Sequence, residues 1–325
     1  MSKMLVAALL ACMLAVLSPA VAQDWPTRPL TVVVPFAAGG PIDVVGRLIS
    51  PRMSELLGQQ VVVDNTPGAG GMVGASRVAK SAPDGYTMLI GNQATHTYSQ
   101  FLYHKPLYDP VTDFAPGGVL LSNYKVLIVR NDLPADTLPA FVAYAKANEA
   151  KLQYGSAGGG SATHIACLLL NAKIGTRITH VPYRGTGPAM HDLMAGRIDF
   201  ICDVVSTALP QIRAGTVKAI AMLSNERAAV LPDLPTALEQ GLADVDADGW
   251  NALFFPKETP AAIIRRINAA AGETLDTPAV HKRITELGLY GAPPAKRSPE
   301  FLAKLVLREL DKWGPPIKAA GVTVQ

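Results

Sequence analysis

Apolar residues along this chain gather into short β-branched runs that alternate with stretches of helical periodicity. Leu30-Thr31-Val32-Val33-Val34-Pro35-Phe36 has the make-up of a buried strand. Residues 42–57 carry a helical pattern that stops at Gly58, a favoured residue just past a helix end. Val61-Val62-Val63 predicts a second strand, 72–80 a helix and 87–90 a third strand. This β-α-β-α-β order predicts a parallel sheet covered on both faces, whose strands need no polar side. A second such unit begins near Tyr124, with strands at 126–129, 152–154, 178–181, 198–202 and 217–223. Its helices are expected at 138–147, 162–172, 188–195 and 208–214. The tail predicts a strand at 250–255 and helices at 261–275, 279–287 and 299–320.

No low-complexity linker separates the two units, and no internal repeat is visible. The chain is therefore expected to cross between two α/β lobes within ordered structure, at Ser122-Asn123 and near Ser224-Asn225. Lobe one would combine 23–122 with 226–325, and lobe two would span 123–225. Each lobe would be a mostly parallel sheet flanked by helices, with a ligand cleft between the lobes. Ahead of them, Lys3 precedes an apolar stretch at 4–17, then Pro19 and Ala20-Val21-Ala22. A short basic end, a short apolar segment and an Ala-x-Ala site predict a secretory signal at 1–22, cleaved after Ala22, rather than a membrane anchor. The mature chain is then expected in an exported, oxidising compartment.

Composition narrows the function. Of 325 residues, 17% are charged and 49% hydrophobic, which excludes a disordered chain. The net charge of +3 makes no electrostatic case for nucleic acid. Cys167 and Cys202 form no C-x-x-C pair and read as small buried hydrophobes, with a disulfide left open for an exported chain. The chain has no G-x-S-x-G elbow, no phosphate loop and no H-E-x-x-H, so no catalytic residue, metal or cofactor is expected.

The chemistry instead points to loops at the carboxyl ends of strands, which open onto ligand crevices in parallel sheets. Phe36-Ala37-Ala38-Gly39-Gly40-Pro41-Ile42-Asp43 joins the first strand to the first helix. Its glycines let backbone N–H groups approach a ligand, the helix start adds free donors, and Asp43 falls in the first helical turn. Gly155-Ser156-Ala157-Gly158-Gly159-Gly160-Ser161-Ala162-Thr163-His164 has the same position in the second unit. Ser161 and Thr163 offer hydroxyls, and His164 either meets a ligand or packs on the sheet. Asn92, Gln93 and Thr95 follow the third strand, while Tyr183 and Asp203 close two strands of the second unit. Two glycine-rich helix starts, one per lobe, can hold a carboxylate from both sides without a buried cation. Asn65-Thr66-Pro67-Gly68-Ala69-Gly70-Gly71-Met72-Val73-Gly74 fails the dinucleotide spacing at Val73 and reads as a turn that tightens helix packing.

Several motifs carry a family resemblance. They are Trp25-Pro26-Thr27-Arg28-Pro29, Val34 to Asp43, Val63 to Gly71, Ala82-Pro83-Asp84-Gly85-Tyr86, Ser156 to His164, Val181-Pro182-Tyr183 and Leu231 to Thr236. In this order the chain resembles the tripartite tricarboxylate transporter substrate-binding proteins, the Bug family of extracytoplasmic solute receptors. The resemblance runs over nearly all of 24–322. It implies a two-lobed periplasmic binding fold of type II kind that closes on a small organic acid and delivers it to membrane permease subunits, with a monomer expected. It also implies that backbone amides hold the carboxylate at Phe36, Ala37, Gly39, Gly40 and Asp43, and at Gly158, Gly160, Ser161, Thr163 and His164, with Asp203 near the cleft. The family commonly has Thr where this chain has Ile42, which removes one hydroxyl from that set. Two alternatives remain: a ligand sensor that signals to a membrane partner without transport, and an exported α/β hydrolase.

Overall fold

In the computed structural model, which describes residues 25–319, the first apolar run becomes β1 (Leu30–Val34). The expected signal segment at 1–22 lies outside the described residues. After β1 come α1 (Pro41–Leu57), β2 (Val61–Asn65), α2 (Met72–Ala79) and β3 (Thr87–Asn92). α2 sits tightly on the turn after β1, because Gly74 has no side chain: a Cβ there would lie 2.8 Å from the Pro35 Cα. A π-helical turn at Ala94–Tyr98 runs into the short α3 (Ser99–Leu102). β4 (Phe114–Asn123) then passes almost directly into β5 (Lys125–Arg130). There follow α4 (Leu138–Asn148), β6 (Gln153–Ser156), α5 (Ala162–Ile174), β7 (Thr179–Pro182), α6 (Thr186–Met194), β8 (Phe200–Val204), α7 (Val205–Arg213) and β9 (Val217–Met222). β10 (Gly249–Pro256), α8 (Ala261–Asp276), α9 (Pro278–Glu286), β11 (Leu289–Gly291) and α10 (Pro299–Ala319) complete the order.

The strands form a six-stranded sheet, β11-β4-β10-β3-β1-β2, and a five-stranded sheet, β7-β6-β8-β5-β9. Helices cover both faces of each. Val32 and Val34 point to one face, with Ile49 of α1 and Ile267 of α8; Val33 points to the other, with Val78 of α2 and Leu302 of α10. In the second sheet, Leu127 and Val129 meet Phe141 of α4 and Leu170 of α5, while Val126 and Ile128 meet Leu193 of α6 and Leu209 of α7.

The sheets are mixed, which corrects the expectation of mostly parallel ones. β10 is antiparallel to both β3 and β4, β11 is antiparallel to β4, and β5 is antiparallel to β8 and β9. The cause is the double crossing. β4 runs towards the second sheet and β10 runs back from it, so two neighbours in one sheet point in opposite directions. The return also comes later than Ser224-Asn225. Ala237, Val245 and Ala247 pack into the core of the second sheet, and the first sheet resumes at Gly249, the register partner of Asn123. Cys167 of α5 and Cys202 of β8 are bonded, with their Cα atoms 5.3 Å apart. They are buried, as expected, and also covalently tie the helix after the glycine loop to the centre of its sheet.

Candidate ligand-binding site

The carboxyl ends of β1, β3, β6 and β8 all face the gap between the sheets. From there the first turns of α1, α5 and α6 supply Pro41, Ile42, Ser161, Ala162, Thr163 and Thr186 to one recess. It encloses about 440 Å³ of space not filled by protein atoms, part of it open to solvent. Phe36, Ala157 and Val204 give it apolar walls, and Asn92, Gln93, Asn123, Lys125 and Asn251 give it a polar end next to the crossing strands. The leading N–H groups of each helix have no partner within the helix and carry roughly half a positive charge. Three such ends and one ammonium group border the hollow, and its lining holds no Asp or Glu, which suits a small anion.

The lobes meet around this recess. The Ala37 N–H donates to the Arg184 carbonyl at 3.0 Å, and the Tyr103 hydroxyl donates to the Gly159 carbonyl at 2.8 Å. Glycines permit the approach: a Cβ at Gly70 would run into the Gly159 carbonyl, and one at Gly187 would lie 2.8 Å from the Ala38 carbonyl oxygen. Gly70 belongs to the stretch that failed the dinucleotide spacing, so that turn also forms part of the contact between lobes.

Of the residues singled out in the sequence, Phe36, Asn92, Gln93, Ser161 and Thr163 line the recess. Ala38 and Gly39 lie at an outer cleft beside it, together with Thr186 and Gly187. Gly40 caps α1, while Gly158 and Gly160 take left-handed conformations that shape the turn before α5. Asp43 turns back on its own loop. Its carboxylate accepts from the Gly39 N–H at 2.9 Å, from Arg47 and from Asn65. Burial opposes the charge on Asp43, but these hydrogen bonds outweigh it and hold the carboxyl below its usual value.

His164 also supports the backbone rather than lining the recess. Its Nδ1 accepts from the Gly160 N–H at 3.1 Å, and its ring stacks 4.0 Å from that of His180. Burial pushes its pKa down to about 4, so it is neutral at pH 7. The Thr95 hydroxyl is spent locally, accepting from the Asn92 N–H at 3.0 Å. The Tyr183 phenol donates to Asp192 at 2.7 Å. Asp203 lies behind the wall, where it accepts from the Val204 N–H and the Thr207 hydroxyl, both at 2.8 Å; burial raises its pKa to about 6.

A helical start on each lobe, a shared recess and a hinge of paired strands are the outline of a solute receptor. Consistent with this, the model of the tripartite tricarboxylate transporter family receptor matches residues 45–322. The chain belongs to that family. Solved structures similar to this family member include the periplasmic binding protein BugD, at 36% identity and a TM-score of 0.90, covering 93% of this chain and 100% of BugD. MatC from Rhodopseudomonas palustris with bound malate has 41% identity and a TM-score of 0.88, over 90% of this chain and 100% of MatC. Another R. palustris protein, with adipate, has 34% identity and a TM-score of 0.88, over 92% and 99% of the two chains. The two-lobed α/β architecture is thus that of the Bug-type receptors.

In this tripartite tricarboxylate receptor the sequence reading named Asn92 and Gln93 but missed Asn123, Lys125 and Asn251 at the polar end of the recess. Lys125 is 2% exposed, and its ammonium donates to Asn123 Oδ1 at 2.9 Å. Burial pulls its pKa down to about 8, against the opposing charges of Asp248, Asp203 and Asp246. The expectation of a site without a buried cation is therefore corrected. The signal was present as a lone lysine opening the apolar run Val126-Leu127-Ile128-Val129. Asn251 had no such local mark, because its partner Asn123 is 128 positions away.

Proposed function

We propose that this chain is a periplasmic receptor that closes on a small organic acid and presents it to the permease subunits of a tripartite-type transporter, without catalysing a reaction. The observation that carries the reading is the convergence of three helix N-termini, from both lobes, on one recess. A carboxylate there exchanges water for backbone donors already fixed in place, which offsets its desolvation. Because α1 belongs to one lobe and α5 and α6 to the other, the ligand gains all its contacts only when the lobes are together, so it favours the closed arrangement. The malate of MatC and the adipate of the R. palustris protein are small acids of the expected kind. Among the described residues no group of three or more His, Cys, Asp or Glu is placed to hold a metal ion.

Thermal unfolding in the presence of mono- and dicarboxylates tests the ligand class. An acid at a hundred times its Kd should stabilise the protein by about 2.7 kcal/mol. Stabilisation by sugars or cations and by no acid would overturn the reading. For export, N-terminal sequencing of protein from the periplasmic fraction should begin at Gln23. Transport predicts that the ligand-loaded chain stimulates acid uptake by vesicles carrying the permease, and that the unloaded chain does not.

A further inference from the structure

We infer that Lys125 is a specificity-determining residue of the recess, whose ammonium selects acids carrying a second carboxylate. The inference rests on the carboxylate-receptor reading above and adds to it the substrate class and the residue that sets it. A buried ammonium is costly unless acceptors surround it. Lys125 has three N–H donors, and among the described residues only Asn123 Oδ1 accepts from it. No carboxylate among the described residues lies within ion-pair distance of it. Asp203, the nearby acid of β8, spends its oxygens on the Val204 N–H and the Thr207 hydroxyl. Asp248, ahead of β10, is engaged by the Ser224 hydroxyl. These acids favour the charged form of the lysine from a distance without occupying its donors.

The backbone is also shaped around this group. A Cβ at Gly249 would lie 3.0 Å from the Lys125 Nζ and 2.8 Å from Asn123 Oδ1, so the glycine clears a space that the lysine head fills. Lys125 stands at the crossing-strand end of the recess. Thr186, at the start of α6, borders both the recess and the outer cleft. The Thr186 hydroxyl is 1% exposed and has no partner among the described residues. The helix starts thus offer N–H groups and an unpaired hydroxyl to the hollow, and the crossing strand β5 offers an ammonium short of acceptors. An acid with one carboxylate satisfies one of these donor sets and leaves the other unpaired, whereas a dicarboxylate can satisfy both. Leaving a buried polar group unpaired is the stronger form of discrimination against the wrong ligand.

The test is calorimetric titration of the mature chain at pH 7 with matched pairs: succinate against butyrate, malate against 2-hydroxybutyrate, and adipate against hexanoate. At least one diacid should bind roughly 10- to 100-fold more tightly than its matched monoacid, as expected for a buried charge-assisted hydrogen bond. In Lys125→Gln and Lys125→Met that ratio should fall to within about threefold, while Lys125→Arg should keep most of it. Monoacids binding as tightly as diacids to the unaltered chain would overturn the inference without any variant having to fold. So would an unchanged ratio in a Lys125→Gln protein of normal melting temperature. Failure of every acid to bind would instead overturn the carboxylate reading itself.

Discussion

Asp43 and His164 show how a residue can sit in a binding loop and serve the loop instead. Asp43 stands at the third position of α1 and reaches back to the Gly39 N–H, much as the acid of a capping box does. Asp43→Ala should therefore destabilise the protein by about 1–2 kcal/mol in urea unfolding, in the range of a lost cap. The stacked pair His164 and His180 gives a pH prediction. Burial holds their pKa values at about 4 and about 3, below the usual 6.5. As pH falls from about 6.5 towards 4, the unfolded chain takes up protons that the folded chain refuses, and stability is lost. Asp203 and Asp248, raised to about 6 by burial, act in the opposite sense: they cost stability as pH rises through 4 to 6. Urea unfolding at pH 7 and pH 4.5 should show a smaller loss of stability in His180→Gln than in the unaltered chain. The glycine loops were legible because a strand, two glycines and a helix start are contiguous in sequence. Asn123 and Asn251 were not, because β4 and β10 must pair before the two meet, and Lys125 carried only the mark of a lysine opening an apolar run.

At the scale of elements, most of the alternating strands and helices could be read from periodicity, since buried strands and amphipathic helices carry different repeats. β4 escaped because Phe114-Ala115-Pro116-Gly117-Gly118 has the make-up of a loop. It is nonetheless paired on both sides, with β10 and β11. The register shifts at Leu253/Phe254, opposite Gly118 and Pro116, and a bulge of this kind is where a strand tolerates proline. The disulfide was undecided in the sequence, because cysteines 35 residues apart say nothing of whether their Cα atoms meet. Here it joins the helix that opens onto the recess to the strand beneath it. Replacing both cysteines with alanine should cost about 2–4 kcal/mol in chemical unfolding, and thiol titration of the unfolded, unreduced mature chain should find neither cysteine free.

Over the whole molecule, the proposed capture of a ligand turns on how closely the two lobes approach. Gly187 offers a clean test, because its backbone is not in a left-handed conformation and a methyl group there meets only the opposite lobe, 2.8 Å from the Ala38 carbonyl oxygen. Alanine at a helix position is if anything favourable, by up to about 1 kcal/mol over glycine. Gly187→Ala should thus leave the unliganded melting temperature unchanged or slightly raised, while weakening acid binding by about tenfold through the disfavoured closed form. Equal affinities in the two proteins would show that the approach of Ala38 to Gly187 plays no part in capture. The two chain crossings also constrain how the lobes part. Asn123 and Gly249 are register partners, so the connections lie side by side as a narrow antiparallel ribbon. A ribbon of two bonded strands folds easily across its width but resists stretching, shear within its plane and sliding of one strand past the other. Bending across that ribbon is the motion that parts the lobes while leaving Asn123 and Gly249 paired, so the two halves of the proposed site keep their alignment at the crossing.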